Sequence, residues 1–185
     1  MEQVDYTYEI LLYYLYMIAD DNISYSEEKM FDQICNELNV SIDEKKAVIN
    51  SCGGGLYNTK ADIFDIIIQE KIYEKVRMNY DSQIEISSLI RIIWNLVNLG
   101  YADSFYSSQE EKIVKFLVTQ WDIPLEVYYE FIDIAETIRA LTNQKDWVVS
   151  TFPKGIIRDK KERKIDNEIQ NLLNGVMLII QEIVM

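Results

Sequence analysis

An eleven-residue stretch occurs twice in this chain, at an offset of 83 positions. The first copy reads Ala19-Asp20-Asp21-Asn22-Ile23-Ser24-Tyr25-Ser26-Glu27-Glu28-Lys29, the second Ala102-Asp103-Ser104-Phe105-Tyr106-Ser107-Ser108-Gln109-Glu110-Glu111-Lys112. Aligned without a gap, Ala19 meets Ala102, Asp20 meets Asp103, Ser24 meets Ser107, and Glu27, Glu28 and Lys29 meet Glu110, Glu111 and Lys112. Beyond the motif the likeness continues as apolar pattern: Ile34, Cys35, Leu38, Val40, Ile42 and Ile49 fall on Leu117, Val118, Trp121, Ile123, Leu125 and Ile132. Ser41 falls on Pro124, and both residue types suit a helix start. The two halves are therefore expected to be one helical unit used twice, packed about a pseudo-twofold axis.

Local signals give the helices. Ser24-x-x-Glu27, Ser41-x-x-Glu44 and Ser107-x-x-Glu110 are capping boxes, in which the hydroxyl takes the N3 amide and the carboxylate reaches back to the cap amide. Met30, Phe31, Ile34, Cys35 and Leu38 recur at helical spacing as a buried stripe, which makes Cys35 a core residue. The spacing predicts helices over 4–20, from Ser24, from Ser41 to the Cys52-Gly53-Gly54-Gly55 stop, from Thr59 to about residue 79, from Ser82 to about 101, over 107–121, and from Pro124 to about 142. Residues 143–158, with Pro153 and Gly155, read as a linker. A last helix from about Asp159 to Met185 carries the heptad seam Ile165, Ile169, Leu172, Val176, Ile179, Ile183, to be buried on the parent domain or in a dimer. The expected fold class is all-α: a helical bundle of two pseudo-symmetric helix-turn-helix repeats, about 8–50 and 88–142, with an insertion at 53–80. Residues 1–142 form the domain, and 143–185 the linker and C-terminal helix.

Composition closes off several functions. Only 6 Gly and 2 Pro argue against a turn-rich sandwich or barrel. A formal net charge of −13 repels phosphate backbones, so nucleic acid is not an expected partner. The field would instead attract divalent cations or a basic protein. With 2 Cys and no His, zinc sites and His-based nucleophilic catalysis lack their residues. A bound metal would need oxygen ligands, which favours Ca²⁺ or Mg²⁺. Gly53-Gly54-Gly55 lacks the Lys of a phosphate loop. The N-terminus has no basic n-region, and the apolar run Ile10–Ala19 is too short to span a bilayer, so a cytoplasmic protein without membrane insertion is expected. Arg158, Lys160, Lys161, Arg163 and Lys164 make a basic cluster, diluted by Asp159 and Glu162, that would either lie on a solvated face or dock acidic groups of a partner.

The repeated Ser and Glu have a complete structural explanation as caps. Asp20 and Asp103 do not. Each follows the C-terminal end of an apolar helix, where a negative charge opposes the macrodipole by roughly 0.3–1 kcal/mol. Two compensations stay open: hydrogen bonds to amides of the turn, or a cation held between the Asp and the following Glu pair. An EF-hand does not fit, because counting from Asp20 the twelfth position is Phe31.

The pattern Ala-Asp-x-x-[Ile/Tyr]-Ser-x-x-Glu, set between an apolar and an amphipathic helix and present twice, resembles the tellurite-resistance TerB-like family. The resemblance covers residues 8–50 and 88–142. It implies a bacterial cytoplasmic protein linked to stress or phage resistance, without established enzymatic activity, whose acids bind a divalent cation. Carried over by position, those acids are Asp20, Glu27, Asp103 and Glu110. The chain departs from the family where Asp21 and Ser104 replace the usual Gly, in the 53–80 insertion, and after residue 143.

The expected function is a non-enzymatic, divalent-cation-binding or stress-response accessory protein with the acidic turns as its site. The alternative is an acidic protein-interaction or immunity-type module with a protein partner or homodimer, the motifs serving only as caps. Tyr13, Tyr14, Tyr16, Tyr128 and Tyr129 are its candidate contact residues. Carboxylate-based, metal-dependent catalysis is the remaining exception, with no nucleophile or cofactor fingerprint beside it.

Overall fold

A computed structural model describes residues 5–20, 23–53, 62–80, 85–103 and 106–182. Among these residues the chain is all-helical, with no strand. In order the helices are α1 (Thr7–Met17), α2 (Tyr25–Glu37), α3 (Ile42–Gly53), α4 (Ile63–Gln69), α5 (Ile72–Met78), α6 (Glu85–Gly100), α7 (Ser108–Gln120), α8 (Leu125–Thr151) and α9 (Ile156–Glu182). The helix packing is that of a bundle, with α1 touching α2 to α6, and α6 touching α1, α2, α7, α8 and α9.

The 83-residue offset is written into the backbone. Tyr25–Glu37 plus 83 is Ser108–Gln120, and Ile42 plus 83 is Leu125, so α7 has the bounds of α2 and α8 starts where α3 does. Ser24 and Ser107 are extended N-caps, each with a complete capping box. Both second helices end in the same left-handed residue, Asn39 at φ 57° and Asp122 at φ 54°. Matching bonds close them: the Val40 amide donates to the Cys35 carbonyl at 2.9 Å and the Ile123 amide to the Val118 carbonyl at 3.0 Å. This is a Schellman ending, which satisfies carbonyls that a helix end leaves open. The third box also forms, Ser41 and Glu44 exchanging amide bonds at 2.8 and 3.2 Å.

Two boundaries differ from expectation. The helix expected over 59–79 is two short ones, because Lys71 sits in the left-handed region at φ 51°. Its cap is Asp62, which accepts from the Phe64 amide at 2.9 Å; Thr59, like Ser82, Gly54, Gly55 and Ile183, lies outside the described residues. The segment 143–158 is helical except for 152–155. Residues 142–146 are polar but contain no Gly or Pro, so nothing stops α8 until Phe152, which is extended ahead of Pro153 (φ −99°, ψ 135°). Gly155, at φ 154°, then turns the chain into α9. Residues 62–80 of the 53–80 insertion pack into the core. Ile67, Ile72 and Val76 are buried with α1, Phe116 makes edge-on ring contacts with Phe64 and Tyr73, and the Trp121 indole N–H donates to the Tyr73 carbonyl at 3.2 Å.

Of the C-terminal seam, Ile165 and Val176 are buried and Ile169, Leu172 and Ile179 half-buried. α9 lies along α8 and reaches α6, burying Ile165, Val176 and Ile180. Cys35 is buried, and burial pushes its thiol up to about 11, as suits a core residue. No described helix is long and apolar enough to cross a membrane.

Gly100, the last residue of α6, lets two aromatic side chains approach the backbone. A Cβ there would stand 2.4 Å from the Tyr16 hydroxyl and 2.5 Å from Tyr106 Cδ2. Gly100→Ala is expected to destabilise the fold by about 1–3 kcal/mol, the usual penalty of overpacking, read as a lower denaturation midpoint. A midpoint equal to that of the unaltered protein would mean the rings can withdraw freely.

Candidate functional site

The four acids singled out by sequence come from two helix ends and two helix starts. Asp20 and Asp103 are half-buried in the turns after α1 and α6. Those turns match as well: the Ala19 amide donates to the Tyr16 carbonyl, and the Ala102 amide to the Leu99 carbonyl. The turn positions Asp21 and Ser104 lie outside the described residues. Glu27 and Glu110 occupy the third position of α2 and α7, and each is only 2% exposed. Each Oε2 accepts the amide of its own cap serine at 2.7 Å.

The two repeats bring these acids into one field. Burial pushes the Glu27 carboxyl above the ordinary glutamate value; the Ser24 hydrogen bonds pull it down, and the charges of Asp103 and then Asp20 push it up again. The effect is larger at Glu110. Burial, opposed by the bonds from Ser107 and reinforced by Asp20 and Glu27, raises that carboxyl to about 7. Each capping glutamate therefore senses acids from the opposite repeat. A cap alone needs an acceptor, and an ionised carboxylate supplies it best; burying that carboxylate among other acids works against it. The surplus of negative charge is what the capping role leaves unexplained.

Among the described residues no group of three or more Cys, Asp or Glu side chains is arranged to hold a metal ion. The acids share a field without forming a ready-made cage.

Sequence reasoning missed the aromatic wall of this site. Tyr16 is fully buried, and its hydroxyl has no hydrogen-bond partner among the described residues. Burial pushes its phenol well up, with Tyr106 and Glu110 close enough to push it further. The Tyr106 hydroxyl stands 3.4 Å from that of Tyr128, and the Tyr106 ring stacks on Tyr101 with centroids 5.0 Å apart. The legible signal is Gly100, two residues before the second motif, since an isolated Gly in an apolar helix often has a packing reason. Its counterpart in the first repeat is Met17, so the pocket for the Tyr16 hydroxyl exists on one side only. The motif lysine of the second copy points away from the acids: Lys112 Nζ lies 3.8 Å from the centroid of the Phe64 ring.

Of the five tyrosines expected at a contact surface, Tyr13, Tyr16 and Tyr128 are buried, Tyr14 is half-buried and Tyr129 is exposed. Burial of the first three removes them from any recognition surface.

A second polar centre was not foreseen. Glu9, in the first turn of the apolar helix α1, is 1% exposed. Arg91 grips it with both guanidinium nitrogens, at 3.0 and 3.1 Å. The Tyr13 hydroxyl donates to it at 2.8 Å and the Tyr80 hydroxyl donates to its other oxygen. Asn95 completes the network by donating to the Tyr13 hydroxyl at 3.0 Å. Every carboxylate oxygen is matched by donors, so this centre is a structural joint between α1, α6 and the end of α5.

Comparison of the chain with family models, with curated proteins and with solved structures finds no match.

Proposed function

We propose that this is a non-enzymatic accessory protein that takes up a divalent cation, Mg²⁺ or Ca²⁺, at its paired acidic turns, in the manner the resemblance to the TerB-like family implies, and that it serves a stress response. The observation that carries the reading is Glu110, a buried carboxyl raised to about 7 in the company of Asp20 and Glu27. A cation would relieve that repulsion. The residues that would hold it are Asp20, Glu27, Asp103 and Glu110. Mg²⁺ commonly takes one or two carboxylates and keeps several waters, so it needs no closed protein cage. The buried Tyr16 hydroxyl adds an oxygen near Glu110.

Titration calorimetry and thermal shift with Mg²⁺, Ca²⁺ and Mn²⁺ test this directly. Asp20→Asn with Asp103→Asn is expected to abolish the response. Asp43→Asn with Asp65→Asn, which removes two exposed acids elsewhere, is expected to retain it. No response in the unaltered protein, or equal responses in both pairs, rejects the site.

One observation favours a second reading. Both Ser/Glu pairs are complete capping boxes, which is all a purely structural motif requires. The protein would then be an acidic interaction or immunity-type module acting through a protein partner or homodimer.

A further inference from the structure

The far end of the α8–α9 hairpin differs from the rest of the molecule in both charge and polarity. Residues 145–164 hold seven basic side chains against three acidic ones, in a chain whose net charge is −13. At the same end Trp147 is 56% exposed, Ile156 88% and Ile157 69%. Trp147 is braced edge-on against Phe152, centroids 5.8 Å apart, and Lys161 Nζ sits 5.0 Å from the centroid of the Phe152 ring. Lys154, Lys160 and Arg163 are exposed and enter no ion pair among the described residues.

We propose that this tip is a peripheral docking surface for an anionic lipid bilayer, with Trp147, Ile156 and Ile157 entering the headgroup region and the surrounding lysines and arginines meeting lipid phosphates. Three features of the tip select that occupant. The first is charge: the tip stays net positive with Lys145 paired to Asp166 and Lys164 to Glu168, and so complements an anionic leaflet. The second is shape. The isoleucines stand at the turn between two 27-residue helices and project into solvent, Ile156 at the edge of an open cleft that Lys160, Arg163 and Lys164 also line. A bilayer interface accepts an apolar projection, whereas an acidic protein would need a matching cavity, and a nucleic-acid backbone offers aliphatic side chains nothing. The third is side-chain type, because Trp and Lys both place an apolar body against the acyl boundary and a polar end in water.

The acidic body does not defeat this attraction. The last α8 side chain packed on the main core is Ile138. From there to Thr151 is about 20 Å of helix at 1.5 Å per residue, more than two screening lengths of about 8 Å at physiological salt. Val148 and Ile165 are buried outside that main core, so the hairpin carries the tip on its own packing. No described helix spans a membrane, and none is required, since the contact is interfacial.

Flotation of the full chain with vesicles tests the proposal independently of the cation site. Vesicles with about 30 mol % phosphatidylglycerol are expected to carry the protein at about 0.1 M salt, and to release it at about 0.5 M. Vesicles of phosphatidylcholine alone are expected not to carry it. Trp94 and Trp121 are buried, so a blue shift of tryptophan emission on binding reports Trp147, and Trp147→Phe should abolish the shift while the protein still floats. Lys154→Glu with Lys160→Glu and Arg163→Glu, which breaks no internal ion pair, is expected to weaken binding by roughly 100-fold. Ile156→Ser with Ile157→Ser is expected to weaken it at least ~10-fold. Absence of binding to anionic vesicles, or binding that both variants leave unchanged, overturns the proposal. So does a concentration-dependent dimer, or retention on a nucleic-acid duplex, that the same variants abolish while flotation persists, for the tip would then belong to that partner.

Discussion

Replacing Arg91 with methionine is expected to destabilise the protein by about 3–5 kcal/mol, a large part of the ~5–15 kcal/mol that a domain of this kind has. The reason lies in Glu9. Its carboxylate is 1% exposed and held by both guanidinium nitrogens of Arg91. Burial alone disfavours a charged guanidinium, yet Tyr13, Glu9 and Tyr80 outweigh it and hold Arg91 above its ordinary value. Methionine fills similar space but leaves Glu9 as a buried, unpaired charge, and the two tyrosine hydroxyls that remain cannot neutralise it. The measurement is chemical denaturation of the single variant and of Arg91→Met combined with Glu9→Gln. The double variant should recover more than half of the loss, because an amide costs far less to bury than an uncompensated carboxylate. If the single variant loses under 1 kcal/mol, or the double variant is no better than the single, the joint between α1 and α6 does not depend on this ion pair.

That joint also marks the limit of what the sequence displays. Capping boxes are local, so Ser24/Glu27, Ser41/Glu44 and Ser107/Glu110 could be read directly and all three form. The repeat could be read too, down to Asn39 and Asp122 taking the same left-handed conformation. Glu9 could not. Its partners Tyr80 and Arg91 are 71 and 82 positions away, and nothing near Glu9 indicates that a charge in an apolar helix will be met. The same distance hides Tyr16, whose hydroxyl enters the site because Gly100, far along the chain, has no side chain. Boundaries failed for a different reason. Pro153 and Gly155 suggest a linker over 143–158, but these two residues break the helix only where they stand, and Val148 gives α8 a buried contact up to that point. Lys71 broke a helix without any Gly or Pro to announce it.

Stability is expected to fall as pH rises from 5 to 8, and Glu110 is the main cause. An unfolded glutamate ionises near its ordinary value of 4.5, whereas folded Glu110 holds its proton to about 7. The folded state therefore binds the proton more tightly, and its advantage is complete below about 4.5 and lost as pH passes 7. A shift of that size corresponds to about 3 kcal/mol, or roughly 5–10 °C in Tm for a chain of this length. Glu27, raised for the same reason, adds in the same direction. Glu110→Gln keeps an oxygen to accept the Ser107 amide, since Gln also completes a capping box, but it cannot ionise. The variant should match the unaltered protein at pH 5, exceed it at pH 8, and show a much shallower dependence between. The cation reading adds a further expectation to the same scan: Mg²⁺ at millimolar concentration should restore Tm at pH 8, where the carboxylates are charged, and do nothing at pH 5. A flat profile in the unaltered protein would mean that Glu110 is not held protonated. A sloping profile that Mg²⁺ leaves unchanged would keep the buried acid but remove the cation, leaving Glu110 as a cap whose charge the fold merely tolerates.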